Sequence, residues 1–102
     1  MTLNAFQQSL TEAAPPPDLT PALEALWFDA KGDWETAHAR AQADEGQAGA
    51  HVHAYLHRKE GDAANAAYWY RRANRPVAAG SLEAEWADVA RTLLSLDPAA
   101  AS

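Results

Sequence analysis

The sequence predicts an all-α protein built from stacked antiparallel helical hairpins, with five to six helices and a C-terminal capping helix. A repeated turn is the first observation, because Lys31-Gly32-Asp33 and Lys59-Glu60-Gly61-Asp62 place their glycines 29 positions apart. In each turn the glycine can end one helix and the aspartate can begin the next. A second observation is that apolar residues recur at helical spacing, whereas no segment alternates as a strand does.

Residues 1–14 are predicted to form an N-terminal amphipathic helix, because Leu3, Phe6 and Leu10 share one face at helical spacing. Residues 15–18 form a Pro-rich connector, since three successive prolines cannot lie inside a helix. The connector separates this helix from the remaining chain. We therefore expect the helix to be mobile or to dock on a neighbouring molecule.

Residues 19–97 are predicted to form a helical-repeat domain. Thr20 is a suitable N-cap and Pro21 a suitable first helical residue, so a helix is expected to begin there. Asp33 and Asp62 have the same capping role at the second helix of each hairpin. The domain is thus expected to contain two hairpins followed by one further helix.

The second half of the domain can be divided in the same way. Residues 44–49 contain two glycines and two acids and are predicted as a loop, and residues 50–60 as the helix after it. Residues 82–96 carry a regular apolar stripe and are predicted to cap the stack of hairpins. Residues 98–102 are expected to form a tail.

The composition excludes several classes of protein. The formal charge is −6, with 14 acidic against 8 basic residues, which argues against a nucleic-acid partner. The absence of cysteine excludes disulfides and thiolate metal sites and fits a reducing compartment. The sequence has neither an apolar run long enough to cross a membrane nor the basic start of a signal peptide. We expect a cytoplasmic protein without a membrane partner.

The second hairpin has a specific order of small and aromatic residues: Ala54, Gly61-Asp62, Ala66, Tyr70, Ala73 and Pro76. This order resembles a tetratricopeptide repeat or its Sel1-like relative, and residues 66–73 match the A-x-x-W-Y-x-x-A end of a Sel1-type unit. The resemblance covers roughly residues 20–76 and is weaker in the first hairpin, where Ala41 and Asp44 replace the aromatic residue and the alanine of the pattern. It implies a right-handed stack that binds a peptide in a concave groove.

The same resemblance places His51, Tyr55, Arg58 and Lys59 on that groove. Helical geometry partly agrees, because the first three of these residues lie on one side of their helix. Such a surface suits a carboxylate or an acidic peptide through charge-assisted hydrogen bonds. In the alternative interpretation, the two cations are only solvated near the C-terminal end of their helix.

Tyr68 and Arg72 are predicted to form a second part of the binding surface. Tyr68 lies on the opposite side of its helix from the apolar face, next to Arg72. Tyrosine and arginine together are frequent anchors of protein interfaces. Simple exposure to solvent explains the same pattern.

Two histidines suggest an alternative site. His53 and His57 are four positions apart on one helix, and Glu60 lies roughly on the same side, which allows a metal site with two histidines and one carboxylate. His38 would join them only if its helix folds towards His53. The competing interpretation is that these histidines are packed and hydrogen-bonded between helices. No metal or other cofactor is predicted on that interpretation.

The predicted function is that of a non-enzymatic interaction module, which binds a protein or an acidic peptide or associates with itself as a homodimer. No catalytic residue is predicted, because the sequence lacks a cysteine and no serine lies in a nucleophile-elbow pattern. One alternative is a small metal- or histidine-dependent enzyme that uses His53, His57 and Glu60. Another is a purely structural homo-oligomer.

Overall fold

The computed structural model describes residues 1–96, and the predicted tail at 98–102 lies outside the described residues. This part of the chain forms six α-helices and one short 3₁₀ helix and contains no strand, which confirms the all-α prediction. The helices are α1 (Leu3–Gln8), α2 (Pro21–Ala30), α3 (Trp34–Ala43), α4 (Gln47–Lys59), α5 (Ala63–Arg72) and α6 (Leu82–Leu96), with the 3₁₀ helix at Ser9–Thr11.

The two Gly-Asp turns have the structure that the sequence predicts. Gly32 and Gly61 have φ angles of +85° and +87°, a conformation that glycine adopts without strain. The side chain of Asp33 accepts a hydrogen bond from the Thr36 amide at 3.1 Å, and Asp62 accepts one from the Asn65 amide at 3.2 Å. These caps start α3 and α5, and α2 packs against α3 as α4 does against α5.

Helix α4 begins earlier than the sequence predicts. The expected loop at 44–49 is shorter, because Gly46 is the N-cap and the helix starts at Gln47. Gly49 therefore lies in the first turn, where a Cβ atom would be only 2.0 Å from the backbone oxygen of Asp44. Glycine is required at this position for steric reasons, rather than as a breaker of the helix.

The N-terminal helix packs on its own chain. Phe6 is fully buried, and its ring stacks on Trp86 of α6 with the centroids 5.7 Å apart. Leu3 and Leu10 pack against the same core. The expectation that this helix is mobile or free to dock on a neighbour is therefore wrong, because its apolar face is covered within the molecule.

Helix α4 is central to the fold, since it packs against α2, α3, α5 and α6. All residues from Gly49 to His57 except His51 are buried. Helix α6 covers α4 and also contacts α1 and α2, and its Trp86 Nε1 donates a hydrogen bond to the Leu26 carbonyl at 3.0 Å. Polar side chains on α4 are therefore brought against neighbouring helices from several directions.

No helix within residues 1–96 combines the length and the apolar character that a membrane span requires.

Candidate functional site

Three histidines from two helices converge between α3, α4 and α5. One ring nitrogen from each of His38, His53 and His57 lies within 4.8 Å of those of the other two. The closest pair is Nε2 of His38 and Nε2 of His53, which are 2.8 Å apart and share a hydrogen bond. His53 and His57 are on the same side of α4 because they are four positions apart, and His38 reaches them from α3. We call this group the three-histidine centre.

Two tryptophan rings hold the three-histidine centre in place. Trp34 stacks on His38 with the ring centroids 4.8 Å apart, and Trp69 stacks on His53 at 3.9 Å. The indole nitrogen of Trp34 donates a hydrogen bond to the Leu56 carbonyl at 3.3 Å, so this ring is itself anchored to α4. Stacking on fixed rings restricts the rotation of the imidazoles and thereby orients their nitrogens.

Glu60 orients the third imidazole. Its Oε1 atom is 2.6 Å from Nδ1 of His57, which is a short hydrogen bond. Since Nδ1 is engaged, Nε2 is the nitrogen that His57 can offer to a metal. A carboxylate behind a ligating histidine is a common arrangement in metal sites, where it fixes the tautomer and raises the basicity of the ring.

The environment favours neutral imidazoles in two of the three rings. Burial lowers the pKa of His53 to about 4, and the neighbouring His38 and His57 contribute to the same shift. Burial also lowers the pKa of His38, assisted by His57 and opposed by Glu60. Only the neutral ring has a free nitrogen lone pair, so these are the protonation states in which histidine binds metal.

The separations between the nitrogens are compatible with a transition-metal ion. With bonds of about 2.0–2.1 Å, two nitrogens on a tetrahedral zinc ion are about 3.3 Å apart. The Nε2 atoms of His38 and His53, at 2.8 Å, are somewhat closer together than this. The separation of 4.8 Å, within which all three ring nitrogens lie, is longer. Shifts of a few tenths of an ångström up to about 1.5 Å in the side chains are enough to bring all three nitrogens to bonding distance.

The observed centre differs from the set of His53, His57 and Glu60 that the sequence suggested. His38 takes the third position, and Glu60 supports His57 through Nδ1. The sequence contained a signal for His38, since it lies four positions after Trp34 on the face of α3 that packs on α4. A second group of potential ligand atoms consists of His57, Glu60 and Asp62, but Asp62 is engaged as the N-cap of α5.

The predicted groove is corrected at Tyr55. This residue is only 3% exposed, and its hydroxyl donates a hydrogen bond to Oδ2 of Asp29 at 3.1 Å. Burial and the Asp29 carboxylate both raise the pKa of Tyr55. Lys59 completes the group, with Nζ at 2.9 Å from Oδ1 of Asp29. Tyr55 is buried because α2 and α6 cover this side of α4, a contact that the repeat pattern did not indicate.

The expectation that Arg58 is a free surface cation is also wrong. Its Nη1 atom lies 2.8 Å from Oε1 of Glu85, a carboxylate whose side chain is only 6% exposed. Nη2 of Arg58 donates to the Gly80 carbonyl, and the Tyr70 hydroxyl donates to Oε2 of Glu85. Both Arg58 and Lys59 thus have buried carboxylate partners, which reduces the positive charge that was predicted for this surface.

His51 lies in a cleft beside α5 and α6. It is partly exposed and shares this cleft of about 450 Å³ with Arg75, Ser81 and Thr92. Burial lowers the pKa of His51, and the positive charge of Arg75 adds to the effect. Within the described part of the chain Arg75 forms no ion pair, whereas Arg91 in the same cleft is paired with Asp88. The cleft therefore contains one unneutralised cation next to a histidine.

Tyr68 and Arg72 are exposed, as the sequence predicts for Tyr68. The tyrosine is 43% exposed, and Nη1 of Arg72 lies 3.3 Å from its hydroxyl. The guanidinium also lies 5.3 Å from the centroid of the Trp69 ring. Trp69 is the ring that stacks on His53, so Arg72 is the outermost member of a stack that leads to the three-histidine centre.

Comparison with known protein families, curated proteins and solved structures finds no match to this chain.

Proposed function

We propose that this protein binds a divalent transition-metal ion through His38, His53 and His57. The observation that carries the proposal is the convergence of three ring nitrogens to within 4.8 Å of one another. The hydrogen bond that His57 donates to Glu60 and the stacking of the other two rings on tryptophans support it, because both fix the rings in the orientation that a ligand needs.

The donor atoms limit the choice of metal. Imidazole nitrogen suits zinc, copper, nickel and cobalt, whereas magnesium and calcium prefer oxygen ligands. Cysteine is absent from the sequence, so thiolates do not compete for the site. The packed-histidine interpretation predicts the same stacking and the same bond between His38 and His53 but no metal binding, and a titration separates the two.

Isothermal titration of the chelator-treated protein with Zn²⁺ should show one saturable site per chain. Replacing His38, His53 or His57 with glutamine should each weaken binding by more than about tenfold, because one of three ligands is lost. Glu60→Gln should weaken it by roughly tenfold, since it removes only the support of His57. Four variants that all bind Zn²⁺ as tightly as the unmodified protein would refute the site.

His51→Gln is the matched control for this titration. His51 lies on the same helix but on a different side from the three-histidine centre, so the affinity for Zn²⁺ should not change. Circular dichroism before each titration separates loss of a ligand from loss of the fold. A loss of Zn²⁺ affinity in the His51 variant as large as in the other variants would indicate adventitious binding to histidines.

A second candidate function is that of an interaction module for an acidic peptide, on a stack of tetratricopeptide-like hairpins. The two similar turns at Gly32-Asp33 and Gly61-Asp62 support the repeat architecture. The specific observation in favour of peptide binding is the cleft in which His51 lies beside Arg75 without a carboxylate partner for that arginine. A cytoplasmic location and a homodimer belong to the same proposal, and light scattering tests the latter.

The cleft predicts a defined change in peptide affinity. Arg75→Ala should weaken the binding of a hexaglutamate peptide by about fivefold or more, because a charge-assisted contact is removed. Arg71→Ala is the control, since it removes an equal charge from an exposed position that does not line the cleft. Fluorescence anisotropy of a labelled peptide measures both, and equal effects would show non-specific attraction only.

A further inference from the structure

We propose that the metal in the three-histidine centre keeps one open coordination position, which takes water or a small anion that enters from the cleft beside His53. This inference rests on the metal binding proposed above. It adds a class of ligand to the site, because a closed structural site would admit neither water nor an anion. Two features of the structure support it, namely the number of protein donors and the position of the cleft.

The described residues supply three donors to the centre and not four. Its remaining walls include Trp34 and Trp69, whose indole N–H groups can donate but not ligate. Glu60 is bonded to Nδ1 of His57, and Asp62 caps α5 through the Asn65 amide. Structural zinc sites have four protein ligands, whereas sites with three keep a position for an exchangeable ligand.

A cleft of about 610 Å³ lies beside His53. His53 and Trp69 form part of its wall, so the cleft reaches one of the three ligand rings. Gln42, four positions after His38 on α3, and Ala50, three positions before His53 on α4, line the same cleft. Because residues at these spacings share a helix face, the cleft continues along the faces that carry the two histidines.

Arg72 and the bound ion itself are the positive charges that would attract a small anion to the open position. Arg72 lies in the wall, beyond Trp69, and contributes a positive charge near the mouth. Asp44 and Glu45 line the same cleft, and the carboxylate of Asp44 accepts a hydrogen bond from the Gly46 amide at 2.9 Å, so the attraction for anions comes from Arg72 and the metal. A divalent ion held by three imidazole nitrogens keeps a net positive charge, because the Glu60 carboxylate behind His57 offsets only part of it, and this charge attracts anions to the open position.

Cobalt substitution with azide as the probe tests the inference. Co²⁺ in a site of low coordination number absorbs visible light, and the bands shift when an exogenous ligand binds. Azide should therefore shift the spectrum of the Co²⁺-loaded protein in a saturable manner. Arg72→Ala should raise the dissociation constant for azide roughly two- to fivefold, because it removes an attractive charge, and should not weaken the binding of Co²⁺, which the same charge repels. Arg71→Ala, which lies outside the cleft, should change neither.

The outcomes separate the inference from the function on which it rests. Bound Co²⁺ whose spectrum does not respond to azide would show a closed site and overturn the inference, while metal binding stands. A response to azide that is the same in the Arg72 and Arg71 variants would overturn entry through this cleft. Absence of saturable Co²⁺ binding would overturn both the site and its open position.

Discussion

Replacing Phe6 with alanine is expected to lower the free energy of unfolding by about 3–5 kcal/mol, the range for large aromatic side chains in a core. Phe6 is fully buried and stacks on Trp86, so its removal leaves a cavity between α1 and α6. A domain of this size has a total stability of roughly 5–15 kcal/mol, and the variant should therefore be close to unfolding. Urea unfolding followed by tryptophan fluorescence measures the change.

The control is Gln8→Ala, an exposed position on the same short helix, which should change stability by less than about 0.5 kcal/mol. The loss of stability on Phe6→Ala should also be independent of protein concentration, because the helix docks on its own chain. A Phe6 variant as stable as the Gln8 variant would show that Phe6 is not buried, and a loss on Phe6→Ala that depends on protein concentration would show that α1 packs on a second molecule.

Further contacts explain why α1 stays on its own chain. Nζ of Lys31 donates hydrogen bonds to the carbonyls of Leu10 and Glu12 at 2.7 and 3.1 Å, and the indole N–H of Trp27 donates to Oγ of Ser9 at 3.2 Å. The 3₁₀ turn after α1 is therefore attached to α2. The prolines between them set the direction of the chain but do not free the helix. The homodimer stays a prediction that no longer rests on α1.

The helices and their boundaries could be predicted from sequence because capping is a local property. Thr20, Asp33 and Asp62 each accept a hydrogen bond from an amide three positions later, and Gly32 and Gly61 have the positive φ that ends a helix. These interactions depend on residue type and on a spacing of a few positions. The N-terminal helix, predicted over residues 1–14, is shorter, with α-helix at Leu3–Gln8 and a 3₁₀ turn at Ser9–Thr11. The misplaced start of α4 depends on Gly49, whose role is set by contact with Asp44.

The candidate site could be predicted only in part, because it needs contacts between helices. The spacing of His53 and His57 places them together on α4 and was sufficient for a metal hypothesis. The third ligand comes from α3; the spacing of Trp34 and His38 places both on one face of that helix, but only the packing of α3 on α4 shows that this face meets His53. Likewise, Glu60 is within reach of both a metal and the His57 ring, and only the structure shows the hydrogen bond to Nδ1.

The groove hypothesis failed because of the position of α4 in the fold. In an array of hairpins, the first helix of each hairpin presents one side to a groove. Here α2 and α6 cover that side, so Tyr55 and Arg58 meet Asp29 and Glu85 instead of solvent. A helix that is covered from several directions can carry charged residues only when buried partners of opposite charge are supplied by its neighbours. Those partners are 26 and 27 positions away in sequence.

Arg58→Ala is therefore expected to destabilise the protein by roughly 2–4 kcal/mol, rather than to weaken a surface interaction. The loss of the guanidinium leaves the Glu85 carboxylate, which is 6% exposed, with the Tyr70 hydroxyl as its remaining partner. Removing one partner of a buried ion pair costs about 3–5 kcal/mol, and the partial exposure of Arg58 places the expectation somewhat lower. Urea unfolding with Arg71→Ala as the control measures the difference.

The double variant Arg58→Met with Glu85→Gln tests the cause of that loss. If the cost comes from a buried carboxylate without its cation, neutralising Glu85 should recover a large part of the stability that Arg58→Met removes, because no charge is then left unpaired. If Arg58 acts mainly through its bond to the Gly80 carbonyl, the two changes should be additive. An Arg58→Ala variant as stable as Arg71→Ala would restore Arg58 to the solvent-exposed surface and make it available again for an acidic partner.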